Sequence, residues 1–219
     1  RRSSDLLLAG GIGVTAAALA NTARAVPRGE VRSWDMTTDV LVVGSGAAGV
    51  CAGLAARQAG ARVLLVETLA SLGGASAMSP GVIYAGGGTA LQRTAGIDDS
   101  VEAMFEQLMA TSDPAPAPRV QRYCEESPAH FDWLLAMGVP YSERVSSARG
   151  LPRDDASLFH AGDEQVAADM PGARLPLRGH VPSGNGRRGG RLLMDSLIAK
   201  AADARVGMLA GADARNLVI

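Results

Sequence analysis

The stretch DVLVVGSGAAGVCAGLAARQAGARVLLVE, residues 39–67, decides the fold of this chain. It opens with the apolar, β-branched run Val40–Val43, which predicts a buried strand. A turn with the spacing G-x-G-x-x-G follows, then a helix of small residues, a second strand at 62–66 and the acid Glu67. The glycines of the turn are Gly44, Gly46 and Gly49. This order predicts an α/β fold of the Rossmann type with a dinucleotide at the turn.

Each glycine of the turn has its own expected task. The first allows the tight turn, the second lets backbone N–H groups approach a pyrophosphate, and the third lets the helix lie close to the sheet. Ala47 and Ala48 keep the helix N-terminus open to phosphates, which its dipole attracts. Glu67 stands where an acid would hydrogen-bond the ribose hydroxyls of an adenosine. The alternative is that the glycines only form a tight turn between strand and helix.

A second glycine-rich segment, LGGASAMSPGVIYAGGG at 72–88, follows the acid. It carries small residues where a soluble loop usually carries charge, which indicates that a flat group lies against it. Gly74 allows close backbone approach, Ser76 and Ser79 offer hydroxyl groups, and Gly81 removes a further side chain. Domains that bind a nicotinamide cofactor need no such segment, whereas two-domain flavoproteins do. The segment therefore favours a flavin dinucleotide.

The composition indicates a globular protein. The chain has 219 residues, of which 47% are hydrophobic and 20% are charged, so it can bury a core. Its formal net charge is −1 and no basic stripe is visible, which argues against nucleic acid and anionic membranes as partners. Cys51 and Cys124 are expected to be packing residues, and no metal site is predicted.

The first 25 residues resemble an export signal. Arg1 and Arg2 precede an apolar run that is too short to span a bilayer, and Ala23–Ala25 offers a small-x-small cleavage site. We expect residues 1–25 to direct export to the periplasm by the twin-arginine route, without a stable membrane anchor, and residues 26–38 to form the tail of the mature chain. The alternative is an ordinary N-terminal tail on a cytoplasmic protein.

Residues 39–219 are expected to form the cofactor domain, with an inserted helical segment at 98–138. Apolar spacing predicts one helix at 98–110 and a pair at 119–126 and 128–137. Residues 142–182 show no sustained periodicity and are predicted to form a long loop. A helix at 191–204 and a strand at 206–209 restore the α/β rhythm. The polar candidates within the loop are His160, Arg178 and His180.

Seven strings of the sequence together resemble one family. They are VVGSGAAG, LGGASAMSPG, YAGGGTALQ, YCEESPAHFDWLLAMGVPY, HAGDE, RGHVP and GGRLLMDSLIAKA. From residue 39 to residue 219 the chain is similar to the N-terminal portion of the FAD flavoproteins of the fumarate reductase and 3-ketosteroid dehydrogenase family. YAGGGT and RGHVP resemble the ketosteroid-dehydrogenase-like branch in particular.

The resemblance implies a set of residues that hold FAD. The pyrophosphate would lie against Gly44, Ser45, Gly46, Ala47, Ala48 and Gly49. The ribityl chain and the isoalloxazine would lie against Gly74, Ala75, Ser76, Ser79 and Gly81. Glu67 would bind the adenosine ribose with Thr68 beside it, and the backbone of 212–214 would meet the adenine.

Two departures from the family limit what the resemblance implies. The family often has paired glycines after the second serine, whereas this chain has Pro80, Gly81 and Val82. Family members also run to about twice this length, and their catalytic residues come mostly from the later half. We therefore expect the rest of the FAD domain and a catalytic or cap domain to lie outside this sequence. The catalytic residues are unknown, and only Tyr84 is a candidate for facing substrate.

The resemblance implies an FAD-dependent oxidoreductase that dehydrogenates or reduces a C–C bond next to a carbonyl, with a 3-ketosteroid-like molecule as the favoured substrate. It would also need an electron donor or acceptor of unknown identity. The alternatives are a fumarate-reductase-like protein acting on a small unsaturated acid and a flavin-binding module without catalysis. A nicotinamide-dependent dehydrogenase is disfavoured by the second glycine-rich segment.

Overall fold

A computed structural model describes residues 27, 29, 31, 33–111, 116–161, 176–184 and 189–218. The chain divides into two compact units. The larger, residues 36–213, contains every helix and strand described below. The smaller comprises residues 1–35 and 214–219. The signal predicted for 1–25 lies outside the described residues.

The larger unit alternates short strands with helices. In chain order its elements are β1 (Val40–Val43), α1 (Ala47–Gln58), β2 (Val63–Glu67), α2 (Gly74–Met78), β3 (Ile83–Tyr84), α3 (Ala90–Thr94), α4 (Val101–Thr111), α5 (Ala117–Ala136), β4 (Val145–Arg149), β5 (Leu158–His160), β6 (Gly179–His180), α6 (Gly189–Asp203) and β7 (Gly207–Ala210).

The dinucleotide motif folds as a parallel sheet in the order β1-β2-β7. Strand β2 runs parallel to both of its neighbours, with Val40 of β1 opposite Val63 and Gly207 of β7 opposite Leu64. The crossover from β1 to β2 runs through α1, whose Val50 and Leu54 are buried. The predicted Rossmann-like α/β fold is confirmed, and the predicted strands and helices of this half agree with the structure to within about two residues.

The second sheet corrects one prediction. Residues 142–182 were predicted to form a long loop, but their described part contains three strands. These strands join β3 in the order β3-β6-β5-β4. Strands of two to five residues are too short to show the alternation of apolar and polar residues that identifies a strand. Only one of their pairings, between β4 and β5, joins strands that are close in sequence. Residues 162–175, within the same segment, lie outside the described part of the chain.

Helix α5 corrects a second prediction. Pro128 was expected to separate two helices, whereas the structure has one helix of 20 residues with Pro128 inside it. A proline removes one backbone donor, and buried side chains on both halves of the helix offset that loss. The buried residues are Val120, Cys124, Ser127, Phe131 and Leu134. Their spacing keeps a single face of α5 against the core.

The main hydrophobic core lies between the parallel sheet, α5 and α6. Leu65 of the central strand and Phe131 of α5 are fully buried, as is Met194 of α6. None of the helices within the described residues is both long enough and apolar enough to cross a membrane. The core thus fixes α1 and α6 on the parallel sheet, and the loops at the carboxyl ends of β1 and β2 form the candidate site.

Candidate cofactor site

The glycine turn after β1 has the geometry that the motif requires. Gly44 has a φ of +96°, and nothing lies within 4 Å of where a Cβ would be. A Cβ on Gly49 would instead overlap the carbonyl oxygen of Gly44 and lie 3.3 Å from a methyl group of Val42. Gly49 is therefore the residue that lets α1 pack on β1, while the space above Gly44 stays open.

The N-terminus of α1 suits an anionic group. Gly46 caps the helix without a side chain, and the first turn contains no acidic residue. The first N–H groups of a helix have no partner within it. Ala47 donates one of them to Oγ of Ser76 at 3.1 Å. The next donors of the turn, with the positive end of the helix dipole, form a site of the kind that binds phosphates.

Ser45 connects the three segments predicted to hold the cofactor. Its side chain is fully buried, and Oγ donates to Oε2 of Glu67 at 2.6 Å. The backbone N–H of Ser45 donates to the same carboxylate oxygen at 2.8 Å. Oγ of Ser45 also accepts from the backbone N–H of Gly73 at 2.9 Å. The turn after β1, the end of β2 and the start of α2 are thereby tied at one hydroxyl group.

Glu67 is anionic and largely enclosed. Its Oε1 accepts from the backbone N–H of Leu69 at 2.9 Å, and its exposed fraction is 7%. The donors from Leu69 and Ser45 lower the pKa of Glu67 to about 2. The ribose contact predicted for Glu67 stays a prediction. The structure adds a second task for the same carboxylate, which is to hold the glycine turn in place.

The second glycine-rich segment lies against the first. A Cβ on Gly74 would lie 3.5 Å from Cα of Gly46, so the two backbones are in close approach. Ala75 and Ser79 are exposed, and Ser76 is half-buried beside α1. Oγ of Ser79 donates to the carbonyl oxygen of Ser76 at 2.8 Å, which closes the end of α2. The residues predicted for pyrophosphate and for flavin thus form one continuous surface.

The region predicted to meet the adenine also lies at this edge of the sheet. The backbone N–H of Ala212 donates to the carbonyl oxygen of Glu67 at 2.9 Å. Thr68 donates from its hydroxyl to Oδ1 of Asp213 at 3.1 Å. Thr68 and residues 212–213 are therefore neighbours, since β7 pairs directly with β2, and their contacts with the adenosine stay a prediction.

Two of the three polar candidates of the predicted loop, Arg178 and His180, have structural roles, and His160 is half-buried at the end of β5. Arg178 and His180 both have an exposed fraction of 0%. Arg178 pairs with Asp99, and Nδ1 of His180 lies 3.0 Å from the carbonyl oxygen of Arg178. Neither side chain is open to a substrate. The sequence around Arg178 did not indicate its partner Asp99. The start of α4 is capped by Ser100, since its Oγ accepts from the backbone N–H of Ala103.

Tyr84 lies at a groove but directs its hydroxyl inward. The groove has a volume of about 500 Å³ and lies between β3 and α5. The hydroxyl of Tyr84 accepts from Nε2 of Gln107 at 3.1 Å, and Gln107 is buried. The backbone carbonyl of Tyr84 accepts from the hydroxyl of Tyr123. These contacts give Tyr84 a packing role, and the substrate contact suggested for Tyr84 stays a prediction.

The profile of the family described as "FAD binding domain" matches residues 39–219. This chain belongs to that family. FAD is accordingly its cofactor, and the two glycine-rich segments are parts of an FAD-binding domain. The open space above Gly44, the close approach at Gly46 and the acid-free start of α1 all fit that cofactor.

Solved and curated relatives share this domain. The crystal structure of 3-ketosteroid-Δ4-(5α)-dehydrogenase from Rhodococcus jostii RHA1 superposes with a TM-score of 0.79 and 38% identity, over 86% of this chain and 40% of that one. The 3-oxo-5-alpha-steroid 4-dehydrogenase of Comamonas testosteroni is 33% identical over 71% of this chain and 30% of its own length. A fumarate reductase (cytochrome) of Shewanella frigidimarina is 36% identical over 49% of this chain and 19% of its own length.

The chain therefore spans less than half the length of these relatives. Within the FAD-binding domain, the turn at Gly44–Gly49 would hold the pyrophosphate, and Ser76 and Ser79 would face the flavin. The sequence-based prediction began this helix at residue 191 and missed its Gly189–Gly190 start, which lies against the second glycine-rich segment. Two adjacent glycines directly before an apolar helix were the available signal.

Proposed function

We propose that this chain is the FAD-binding part of an oxidoreductase that dehydrogenates or reduces a C–C bond next to a carbonyl. The observation that carries the proposal is the likeness to the ketosteroid dehydrogenase of Rhodococcus jostii, at 38% identity over 86% of this chain. The likeness extends over 86% of this chain, which is far more than a dinucleotide motif.

The reaction divides between cofactor and protein. FAD, when bound, supplies the acceptor for a hydride taken from one carbon of the substrate. A base must remove a proton from the neighbouring carbon, and the product is a C=C bond conjugated with the carbonyl. The reverse reaction consumes the same hydride and proton. The residues of this chain bind and orient FAD, and we assign the proton transfer to none of them.

The proposed substrate is a 3-ketosteroid-like molecule, and a small unsaturated acid such as fumarate is the second candidate because of the Shewanella relative. The test uses the protein expressed from its natural gene and purified with its flavin. We expect a 3-ketosteroid to drive reduction of an artificial electron acceptor. Fumarate-dependent oxidation of a reduced dye, with no steroid activity, would replace the first candidate by the second.

A variant of the glycine turn serves as the control for both assays. Gly46→Val places a branched side chain where the pyrophosphate approaches, so flavin content and both activities should be lost together. Bound FAD with neither activity, across a panel of ketosteroids and unsaturated acids, would instead favour a flavin-binding module. Activity that persists in Gly46→Val would contradict the assignment of the cradle.

We also propose that the protein is exported through a twin-arginine signal and exchanges electrons with a separate donor or acceptor. The paired residues Arg1 and Arg2 and the cleavage site at Ala23–Ala25 support export. Replacing both arginines by lysine should leave the protein in the cytoplasm, measured by fractionation and by the mass of the N-terminal peptide. Unchanged periplasmic delivery would rule out that route.

A further inference from the structure

Three glycines form an interlocking contact between the second glycine-rich segment, residues 72–88, and the start of α6. Because this segment is the one expected to meet the flavin, it is called the flavin-side segment. A Cβ on Gly81 would overlap the backbone at Gly189 and Gly190. A Cβ on Gly189 would overlap the carbonyl oxygen of Pro80, and one on Gly190 would overlap the carbonyl oxygens of Ser76 and Ser79. Backbone atoms cannot move aside as a flexible side chain can. No other residue type fits at any of these three glycine positions without separating the loop from the helix.

Hydrogen bonds also join the loop and the start of α6. The backbone N–H of Gly190 donates to the carbonyl oxygen of Ser79 at 3.1 Å. The backbone N–H of Gly81 donates to Oγ of Ser79, also at 3.1 Å. Gly81 has a φ of +77°, which only glycine adopts readily. Ser79 is therefore held between the helix start on one side and its own loop on the other.

Helix α6 is a rigid support for this contact. Its Leu193, Met194 and Leu197 are buried in the main core, and the helix packs against α1. A Cβ on Gly73 would lie 3.6 Å from Cβ of Met194, so α6 also meets the beginning of the flavin-side segment. One helix thus contacts the dinucleotide helix and both ends of the segment that carries Ser76 and Ser79.

We propose that Gly189 and Gly190 are positioning residues of the FAD site. The inference rests on the proposed function, which assigns Ser76 and Ser79 to the flavin. The glycine pair lets α6 approach the loop at backbone distance and so fixes where these two hydroxyl groups stand relative to the turn at Gly44. Gly81 is glycine for the same reason, because α6 occupies the space where its side chain would be.

The test compares FAD binding by the protein from its natural gene with binding by Gly190→Ala, Gly81→Ala and the double variant. Gly53→Ala is the matched control, because a Cβ at this buried helical glycine meets only ordinary contacts at 3.6 Å and beyond. Each single variant should bind FAD about ten-fold more weakly, the strain expected from one methyl group forced into a packed contact. The bound flavin should also show a shifted visible spectrum.

The double variant distinguishes positioning from general destabilisation. Both substitutions separate the same two segments, so the loss in the double variant should not exceed that of the weaker-binding single variant. Far-UV circular dichroism and the FAD-induced rise in Tm are measured on every variant. Losses that multiply, or an FAD-induced rise in Tm equal to that of the wild type, would overturn the inference.

A second variant covers the case in which the added methyl groups prevent folding. Pro80→Gly adds no atoms but frees the φ of the residue whose carbonyl faces Gly189. It should fold and bind FAD several-fold more weakly, and unchanged affinity would overturn the inference. A wild-type protein that binds no FAD would refute the proposed function itself, which is a different outcome.

Discussion

Arg178 and Asp99 form a two-point ion pair inside the protein. Nη2 of Arg178 lies 2.6 Å from Oδ1 of Asp99, and Nε lies 2.9 Å from Oδ2. Both side chains have an exposed fraction of 0%. Nη1 of Arg178 also donates to Oε1 of Gln107 at 2.5 Å, and the backbone N–H of Gly87 donates to Asp99. The pair joins the residue before β6 to the start of α4 and to the loop after β3.

We expect Asp99→Asn to destabilise the protein strongly. Burial raises the pKa of Asp99, but the hydrogen bonds and charge of Arg178 outweigh it, so the net pKa is lowered and the carboxylate is anionic. Its neutral replacement leaves the guanidinium buried without a counter-charge, which costs about 3–5 kcal/mol of the free energy of unfolding. Urea denaturation of both proteins measures the difference.

The matched control is the exposed pair Arg191–Asp195 on α6. Asp195→Asn should change the free energy of unfolding by only about 0.3–0.5 kcal/mol, because water solvates both charges. Equal losses in Asp99→Asn and Asp195→Asn would contradict the structural role of the buried pair.

His180 should make the protein sensitive to mild acid. Nδ1 lies beside the carbonyl oxygen of Arg178, which can only accept, so Nδ1 carries the proton and Nε2 accepts from the hydroxyl of Thr89 at 2.9 Å. Burial lowers the pKa of His180 to about 4. An unfolded histidine titrates at about 6.5. Below that value the unfolded chain binds a proton that the folded protein does not, so acid favours unfolding.

The contribution of His180 to the free energy of unfolding is fully present above pH 6.5. It should fall by about 3 kcal/mol as the pH drops from about 6.5 to about 4. His180→Asn removes the titrating group and should flatten the plot of unfolding free energy against pH in this window, whatever its stability at neutral pH. An unchanged slope in His180→Asn would contradict the assignment.

Ser45→Ala should loosen the cofactor site without adding bulk. The substitution removes the hydroxyl that donates to Glu67 and accepts from Gly73, and the buried N–H of Gly73 loses its acceptor. Leaving this buried N–H without an acceptor lowers the free energy of unfolding by about 1–3 kcal/mol. We expect weaker FAD binding, since the turn and the flavin-side segment are no longer tied together. Titration with FAD and urea denaturation measure both effects.

The control for this substitution is Ser196→Ala, which removes a solvent-facing bond to the carbonyl oxygen of Gly138. It should alter the free energy of unfolding by no more than about 0.5 kcal/mol and leave FAD affinity unchanged. If Ser45→Ala behaves like Ser196→Ala, the hydroxyl group of Ser45 does not hold the site together.

The sequence predicted the parallel half of the fold because its signals are local. The run Val40–Val43, the spacing of the glycines and the position of Glu67 all lie within 29 residues, and each reflects a requirement of one turn or one helix. The same locality explains why the turn at Gly44–Gly49 was placed correctly before α1, whereas the short helix α2 within the second glycine-rich segment was not predicted. The contact between the two segments, through Ser45 and Gly73, was not visible in any pattern.

The second sheet and the buried pair could not be predicted in this way. Asp99 and Arg178 are 79 residues apart, and nothing in the sequence around either residue indicates the other. Strand β6 has two residues and is defined by its neighbours on both sides. The flavin contact predicted for Gly81 stays a prediction, and the structure adds a packing reason for this glycine, the start of a helix more than 100 residues later.

Gly49→Ala tests the most specific part of the sequence-based prediction, the packing of α1 on β1. The new Cβ would overlap the carbonyl oxygen of Gly44, so the helix must move away from the strand. Overpacking of this kind costs about 1–3 kcal/mol, and it displaces the N–H groups that face the pyrophosphate. We expect FAD affinity to fall by more than about ten-fold, since a shift of the helix start affects every phosphate contact.

Gly53→Ala, one turn further along α1, is the matched control. Its Cβ would meet methyl groups of Val206 and Val63 at 3.6 and 3.7 Å, which are ordinary contacts. Alanine also has the higher helix propensity, so this variant should be as stable as the wild type or slightly more stable and should bind FAD normally. Equal FAD affinity in Gly49→Ala and Gly53→Ala would mean that the approach of α1 to β1 does not set the phosphate site, and the explanation of the third glycine would fail.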